Sequence, residues 1–211
     1  MSRPGDDYDG NWLFAQDCQF VAGADRAAAL PPIGLAEVAF AGRSNVGKSS
    51  LLNALTGRNH LARVSHTPGR TQQLNFFQLG HHLWLVDLPG HGYAEVSKAK
   101  KKQWGAVTET YIRNRPSLRR VMLLVDSRHG TKESDEKLMD LMDEAALSYQ
   151  IVLTKADKAK MPEIEAMQTK LAAKLSKRRA CHPVILVTSA HDGIGMTELR
   201  DNLAAIAKGQ A

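Results

Sequence analysis

The chain is poor in cysteine, with two in 211 residues. Cys18 and Cys181 lie far apart, with neither a CxxC pair nor a Cys/His ligand spacing, which argues against a disulfide framework and a zinc site. Free thiols in a reducing compartment are expected. Long apolar runs are also missing: none approaches the roughly 20 residues needed to cross a bilayer. The first ten residues carry Asp6, Asp7 and Asp9 in place of the basic and apolar regions of a secretion signal. The closing residues, Ala207 to Ala211, hold no cysteine for prenylation. We therefore expect a cytoplasmic protein with no membrane association. There is no internal repeat and no low-complexity linker.

What is present suffices for one sizeable core, since 43% of the residues are hydrophobic. Residues 35–211 are expected to form one domain, preceded by a partly ordered N-terminal extension, 1–34, in which Phe14 to Val21 is a candidate edge strand. The net charge of +6 favours a polyanionic partner such as RNA, although a solvated surface accounts for it equally well. Basic residues gather at Lys98, Lys100, Lys101 and Lys102, at Arg113, Arg115, Arg119 and Arg120, and at Lys174, Lys177, Arg178 and Arg179. The first two groups are the candidate RNA contacts.

Short apolar runs alternate with longer amphipathic stretches, which predicts an α/β fold, a mostly parallel sheet covered by helices on both faces. The runs are Glu37 to Gly42, Leu83 to Asp87, Arg120 to Asp126, Ile151 to Thr154 and Val184 to Thr188. Gln73 to Leu79, joined to the Leu83 run through Gly80-His81-His82, reads as half of a hairpin. The expected sheet thus has six strands, one of them antiparallel. Helices are expected over Lys48 to Thr56, Lys98 to Asn114, Glu133 to Leu147, Pro162 to Arg179 and Thr197 to Lys208.

In such a sheet, ligands sit beyond the carboxyl ends of the strands. The first run is followed by Gly42-Arg43-Ser44-Asn45-Val46-Gly47-Lys48-Ser49 and then by Ser50-Leu51-Leu52, making strand, glycine-rich loop and helix. Convergent N–H groups at a helix N-terminus cradle phosphates, Lys48 reaches the terminal ones, and the Ser49 hydroxyl suits Mg²⁺. The Leu83 run ends in Asp87-Leu88-Pro89-Gly90, where Asp87 can hold Mg²⁺ through water and the Gly90 N–H can reach a γ-phosphate. The Ile151 run ends in Thr154-Lys155-Ala156-Asp157. The Asp157 carboxylate can accept from guanine N1–H and N2–H₂, donors that adenine does not present together, while the Lys155 stem can lie over the base. Thr154 stands where this motif usually has Asn. Thr188-Ser189-Ala190 can offer N–H groups to guanine O6.

These are the ordered nucleotide-binding elements of a Ras-like P-loop GTPase. GRSNVGKSSLLNAL, TPGRTQQLNFF, DLPGHGYA and TKADK, in this order, resemble the EngB family of bacterial ribosome-biogenesis GTPases over about Leu35 to Lys208. The resemblance implies slow GTP hydrolysis, GTP-dependent binding to the assembling large ribosomal subunit and its rRNA, a link to septation and the cell cycle, no DNA partner, and a monomer. It carries over Lys48, Ser49, Thr71, Asp87, Gly90, Lys155 and Asp157 to their family roles. Within His66-Thr67-Pro68-Gly69-Arg70-Thr71-Gln72, the switch I segment, Thr71 is favoured over Thr67 as the Mg²⁺ and γ-phosphate sensor.

Two positions stay open. His91 follows the DxxG glycine, where Ras-like enzymes carry a water-orienting glutamine. Either it orients the attacking water, as in the similar DxPGH of translational GTPases, or it points away from the nucleotide. Asn45 resembles the asparagine by which K⁺-dependent GTPases hold a monovalent cation, or else its amide stabilises the loop.

Overall fold

The computed structural model describes residues 8–58, 61, 73–91 and 98–210, with the backbone alone for 98–104. Among the described residues, seven strands, β1 (Cys18–Ala24), β2 (Ala36–Gly42), β3 (Leu74–Leu79), β4 (Leu83–Asp87), β5 (Leu118–Asp126), β6 (Tyr149–Thr154) and β7 (Leu186–Val187), form one sheet in the order β1-β3-β4-β2-β5-β6-β7. β3 runs antiparallel to both its neighbours, and the remaining pairings are parallel. The sheet therefore has one reversed strand, as expected, but seven strands in place of six. The extra one is β1, which borders the sheet and leaves Phe20 and Val21 exposed.

Among the described residues, six α-helices cover the sheet: α1 (Gly10–Ala15), α2 (Lys48–Thr56), α3 (Lys98–Asn114), α4 (Glu133–Glu144), α5 (Met161–Leu175) and α6 (Met196–Ala207). Alternation along β2 assigns its residues to opposite faces. Val38 and Phe40 join a core with Leu13, Leu52, Leu199 and Leu203 from α1, α2 and α6. Ala39 and Ala41 join a core with Tyr111, Met139, Met142 and Leu171 from α3, α4 and α5.

Residues 8–24 are tied to the C-terminal helix. Leu13 and Phe14 are buried, the Gly10 N–H donates to Asp201 Oδ1 at 2.8 Å, and Lys208 Nζ donates to the Tyr8 carbonyl at 3.1 Å. Gly10 packs so closely on α6 that a Cβ there would lie 2.3 Å from the Arg200 carbonyl carbon.

Burial also sorts the basic residues. Arg115 lies inside, its guanidinium on the buried Glu37 carboxylate at 2.6 Å and on the carbonyls of Pro31 and Pro32. Tyr111 and Ser117 donate to the same carboxylate, each at 2.7 Å. Burial, followed by the Glu37 charge, pushes the Tyr111 hydroxyl well above its ordinary pKa. Arg120 is buried on Ser148 and Gln150, and Arg113 pairs with Glu109 and Glu144. Of the second basic group, only Arg119 is exposed and carries no assigned ion pair among the described residues. Arg178 and Lys174 are committed to carboxylates of α4 and its C-terminal turn.

Candidate functional site

The carboxyl ends of β2, β4, β5, β6 and β7 open on one side, and the sequence-predicted residues converge there. β2 ends in Gly42, whose absent side chain leaves room for Val46 to fold back: a Cβ would meet Val46 Cγ1 at 2.8 Å. The loop then turns through two left-handed residues, Asn45 (φ 63°) and Gly47 (φ 105°), before α2 starts at Lys48. This aims the free N–H groups of the first helical turn, which includes Lys48, Ser49 and Ser50, out of the strand end. Arg43 and Ser44 form the outer arm of the loop.

The Asp87-Leu88-Pro89-Gly90 segment is fastened to that arm. Asp87 registers beside Phe40, the Leu88 N–H donates to the Phe40 carbonyl, the His91 N–H to the Gly42 carbonyl, and the Ser44 N–H to the His91 carbonyl. Gly90 sits so close to the loop that a Cβ would lie 3.1 Å from Ser44 Oγ. The buried Asp87 carboxylate forms an ion pair with Lys48 Nζ. Hard oxygen donors such as Ser49 and Asp87 suit Mg²⁺ better than a softer metal.

His91 separates main chain from side chain. Its backbone belongs to the P-loop arm, whereas its Nε2 lies 2.6 Å from Asp135 Oδ1 in the first turn of α4. The other oxygen of this buried carboxylate, Oδ2, accepts from the Lys132 N–H at 2.8 Å and so caps α4. In this conformation the imidazole is engaged by α4.

At the end of β6, Thr154 departs from the usual asparagine, and the structure shows what the hydroxyl does. Thr154 Oγ1 donates to the Val46 carbonyl at 2.7 Å, fully buried, binding the strand end to the P-loop. The neighbouring Lys155 adopts a left-handed conformation (φ 58°), and its Nζ donates to the Asn45 carbonyl at 2.6 Å. Its stem crosses above Gly47, where a Cβ would touch Lys155 Cε at 3.8 Å. Thr154→Val should leave the Val46 carbonyl without this donor and lower stability by about 1–3 kcal/mol, read from a denaturant midpoint. Thr154→Ser should restore most of it.

Asp157 is oriented from the β7 side. Ser189 Oγ donates to Asp157 Oδ1 at 2.7 Å, and the Asp192 N–H donates to Ser189 Oγ at 3.1 Å. The Ser189 hydrogen bond holds the Asp157 carboxyl below its ordinary pKa. The Thr188 carbonyl receives the Ala156 N–H, joining the two loops, and Ala190 continues the turn. Gly195 (φ 69°) completes it, because a Cβ there would fall 1.9 Å from the Val187 carbonyl oxygen.

The family model for the 50S ribosome-binding GTPase matches residues 37–155, more than half of the chain. A probable GTP-binding protein EngB of Rhodospirillum rubrum is 55% identical over 203 residues, covering 94% of this chain and 88% of that one. A second, from Hyphomonas neptunium, is also 55% identical, over 94% of this chain and 91% of its own. The chain belongs to the EngB family of GTPases. A solved structure of a probable GTP-binding protein EngB superposes with a TM-score of 0.66 at 24% identity, over 83% of this chain and 100% of that one, and agrees in fold. The same Ras-like fold appears in Aquifex aeolicus Era bound to GDP and AlF4⁻, with a TM-score of 0.61 at 19% identity, over 82% of this chain and 56% of that one. The protein is thus a GTP-binding enzyme that hydrolyses GTP.

Of the predicted site, Gly42 to Ser50, Asp87 to His91, Thr154 to Asp157 and Thr188 to Ala190 come together at the strand ends. Thr67, Pro68, Gly69, Arg70 and Thr71 lie outside the described residues. Two carboxylates escaped the sequence reading: Asp126, which ends β5 much as Asp87 ends β4, and Asp135, which sits three residues after Lys132 at the N3 position of a capping box. The first had a readable signal in its strand-end position; the second had only its capping spacing.

Proposed function

We propose that the protein is a GTP-driven switch in assembly of the large ribosomal subunit, contacting precursor particles and rRNA in the cytoplasm as a monomer. The observation that carries this reading is the fastening of Asp87–His91 to the outer arm of the P-loop, immediately upstream of residues 92–97 and the lysine-rich start of α3. A γ-phosphate that draws in the Gly90 N–H would pull on that connection, so occupancy of the phosphate site is communicated to Lys98, Lys100, Lys101 and Lys102. The family model's description as a 50S ribosome-binding GTPase supports the choice of partner.

Ser49, Thr71 and Asp87, the last through water, would hold Mg²⁺, which when bound neutralises the β- and γ-phosphate oxygens. Lys48 and the Gly90 N–H add fixed positive charge and a donor where charge develops. Binding of phosphate requires Lys48 to exchange its Asp87 partner for phosphate oxygen. A role for His91 in orienting water requires its ring to leave Asp135. The Asn45 carbonyl is committed to Lys155, so a K⁺ role would fall to the Asn45 side chain. Equal turnover in KCl and NaCl would remove that role.

Sedimentation with large-subunit precursor particles tests the central reading. More protein should pellet with a non-hydrolysable GTP analogue than with GDP, and the association should weaken as salt rises, as phosphate contacts require. Equal pelleting with both nucleotides would contradict the switch.

A further inference from the structure

We propose that Asp126, gripped by Arg128, is a positioning residue for Lys155 that sets how tightly the purine ring is held. The inference rests on the reading of Lys155 as the lysine that lies over the guanine. It adds two residues, from a different strand end, to that site.

Lys155 reaches the base only if its long stem is kept in one direction. Its backbone is turned into the left-handed region, and Ser127 Oγ donates to its carbonyl at 3.2 Å. The ammonium is held at two points, the Asn45 carbonyl at 2.6 Å and Asp126 Oδ2 at 3.1 Å. The first is a neutral acceptor on the loop that wraps phosphate. The second is a charge, and it comes from β5.

Asp126 is itself held rigidly. Arg128 donates to Oδ1 from its backbone N–H at 3.1 Å and from Nε at 2.9 Å, and to Oδ2 from Nη2 at 2.8 Å. A guanidinium fork of this kind fixes both the position and the plane of a carboxylate. Oδ2 keeps a lone pair for Lys155, so one carboxylate balances two cations that would otherwise repel. Burial of Asp126 raises its pKa, but the Arg128 and Lys155 hydrogen bonds and the Lys155 charge outweigh this and hold it well below the ordinary carboxylate range, so the anion persists at neutral pH. Asp126, Arg128, Lys155 and Asn45 border a cavity of about 190 Å³ beside the P-loop. The lysine therefore reaches from the end of β6 across the P-loop toward the end of β5, its stem running from a left-handed backbone to an ammonium held at both points.

The division of labour gives a diagnostic pattern. Asp157 reads the edge of the base and separates guanine from hypoxanthine, which lacks the N2 amino group. Lys155 touches the face, which both purines share. Asp126→Asn should weaken binding of GDP and of inosine diphosphate by the same factor, about five- to tenfold, leaving their ratio unchanged. Arg128→Gln, which keeps the carboxylate but loosens it, should show the same pattern with a smaller loss, and supplies the reading should Asp126→Asn fail to fold. Combined with Lys155→Ala, Asp126→Asn should add little further loss. A ligand-free melting midpoint close to wild type separates this role from a general structural one.

The proposal is overturned if Asp126→Asn leaves GDP affinity unchanged while Lys155→Ala weakens it, or if the loss falls on GDP and spares inosine diphosphate. If Lys155→Ala itself leaves GDP affinity unchanged, the reading of Lys155 fails, and the proposal falls with it.

Discussion

Asp157→Asn is expected to erase most of the preference for guanine. The carboxylate is aimed by Ser189 and supplies two acceptor oxygens, matched to two guanine donors. An asparagine presents one acceptor and one donor, and the donor faces a guanine N–H. Losing a charged bidentate contact costs about 2–4 kcal/mol, which is about 30- to 1000-fold in affinity. Titration of GDP into wild type and variant measures it directly, and a loss below about threefold would contradict the assignment. Because the Ser189 hydrogen bond holds the carboxyl below its ordinary pKa, Asp157 stays ionised down to pH 5. Protonation would begin only as the pH falls toward that lowered value, so the ratio of GDP to inosine diphosphate affinity should be flat between pH 8 and 5.

The second large effect is on stability. Arg115→Met removes the cation from a buried pair in which the Arg115 and Glu37 side chains are 6% and 1% exposed. Tyr111 and Ser117 would still donate to the carboxylate, but its charge would have no counterion in the interior. Breaking one side of a buried pair costs about 3–5 kcal/mol, or about 6–20 °C in melting midpoint for a chain of this size. The tether to the Pro31 and Pro32 carbonyls would be lost with it. Arg119→Met, at an exposed position nearby in the same basic group, should change stability by less than about 0.5 kcal/mol. Comparable destabilisation by both would show that the buried pair has no special weight.

That contrast shows where sequence reading stops. Arg113, Arg115, Arg119 and Arg120 look like one patch because their charges are close in the chain. Which of them meets Glu37, 78 residues away from Arg115, depends on β5 lying beside β2, and no local pattern carries that. The phosphate loop was legible because its chemistry is local: glycines, lysine and hydroxyl must fall at fixed spacing between a strand and a helix. The helix starting at Lys48 and the strand over Leu83 to Asp87 carry the boundaries that their periodicity predicts. β1 was harder, since Cys18 to Ala24 mixes exposed and buried residues with a register shift between Phe20 and Ala22, and an edge strand of this kind has weak alternation. Thr154 departs from the usual asparagine, and the partner of its hydroxyl, the Val46 carbonyl, lies 108 residues away in sequence. Asp135 and Asp126 belong to the same class of long-range partners.

The most direct test of the account is calorimetric titration of the protein with GTP, GDP and ATP in the presence of Mg²⁺. The geometry of Asp157 and Lys155 predicts saturable binding of both guanine nucleotides, with ATP at least about a hundredfold weaker. ATP binding as tight as GTP would contradict the reading of the β6 and β7 strand ends as a guanine site.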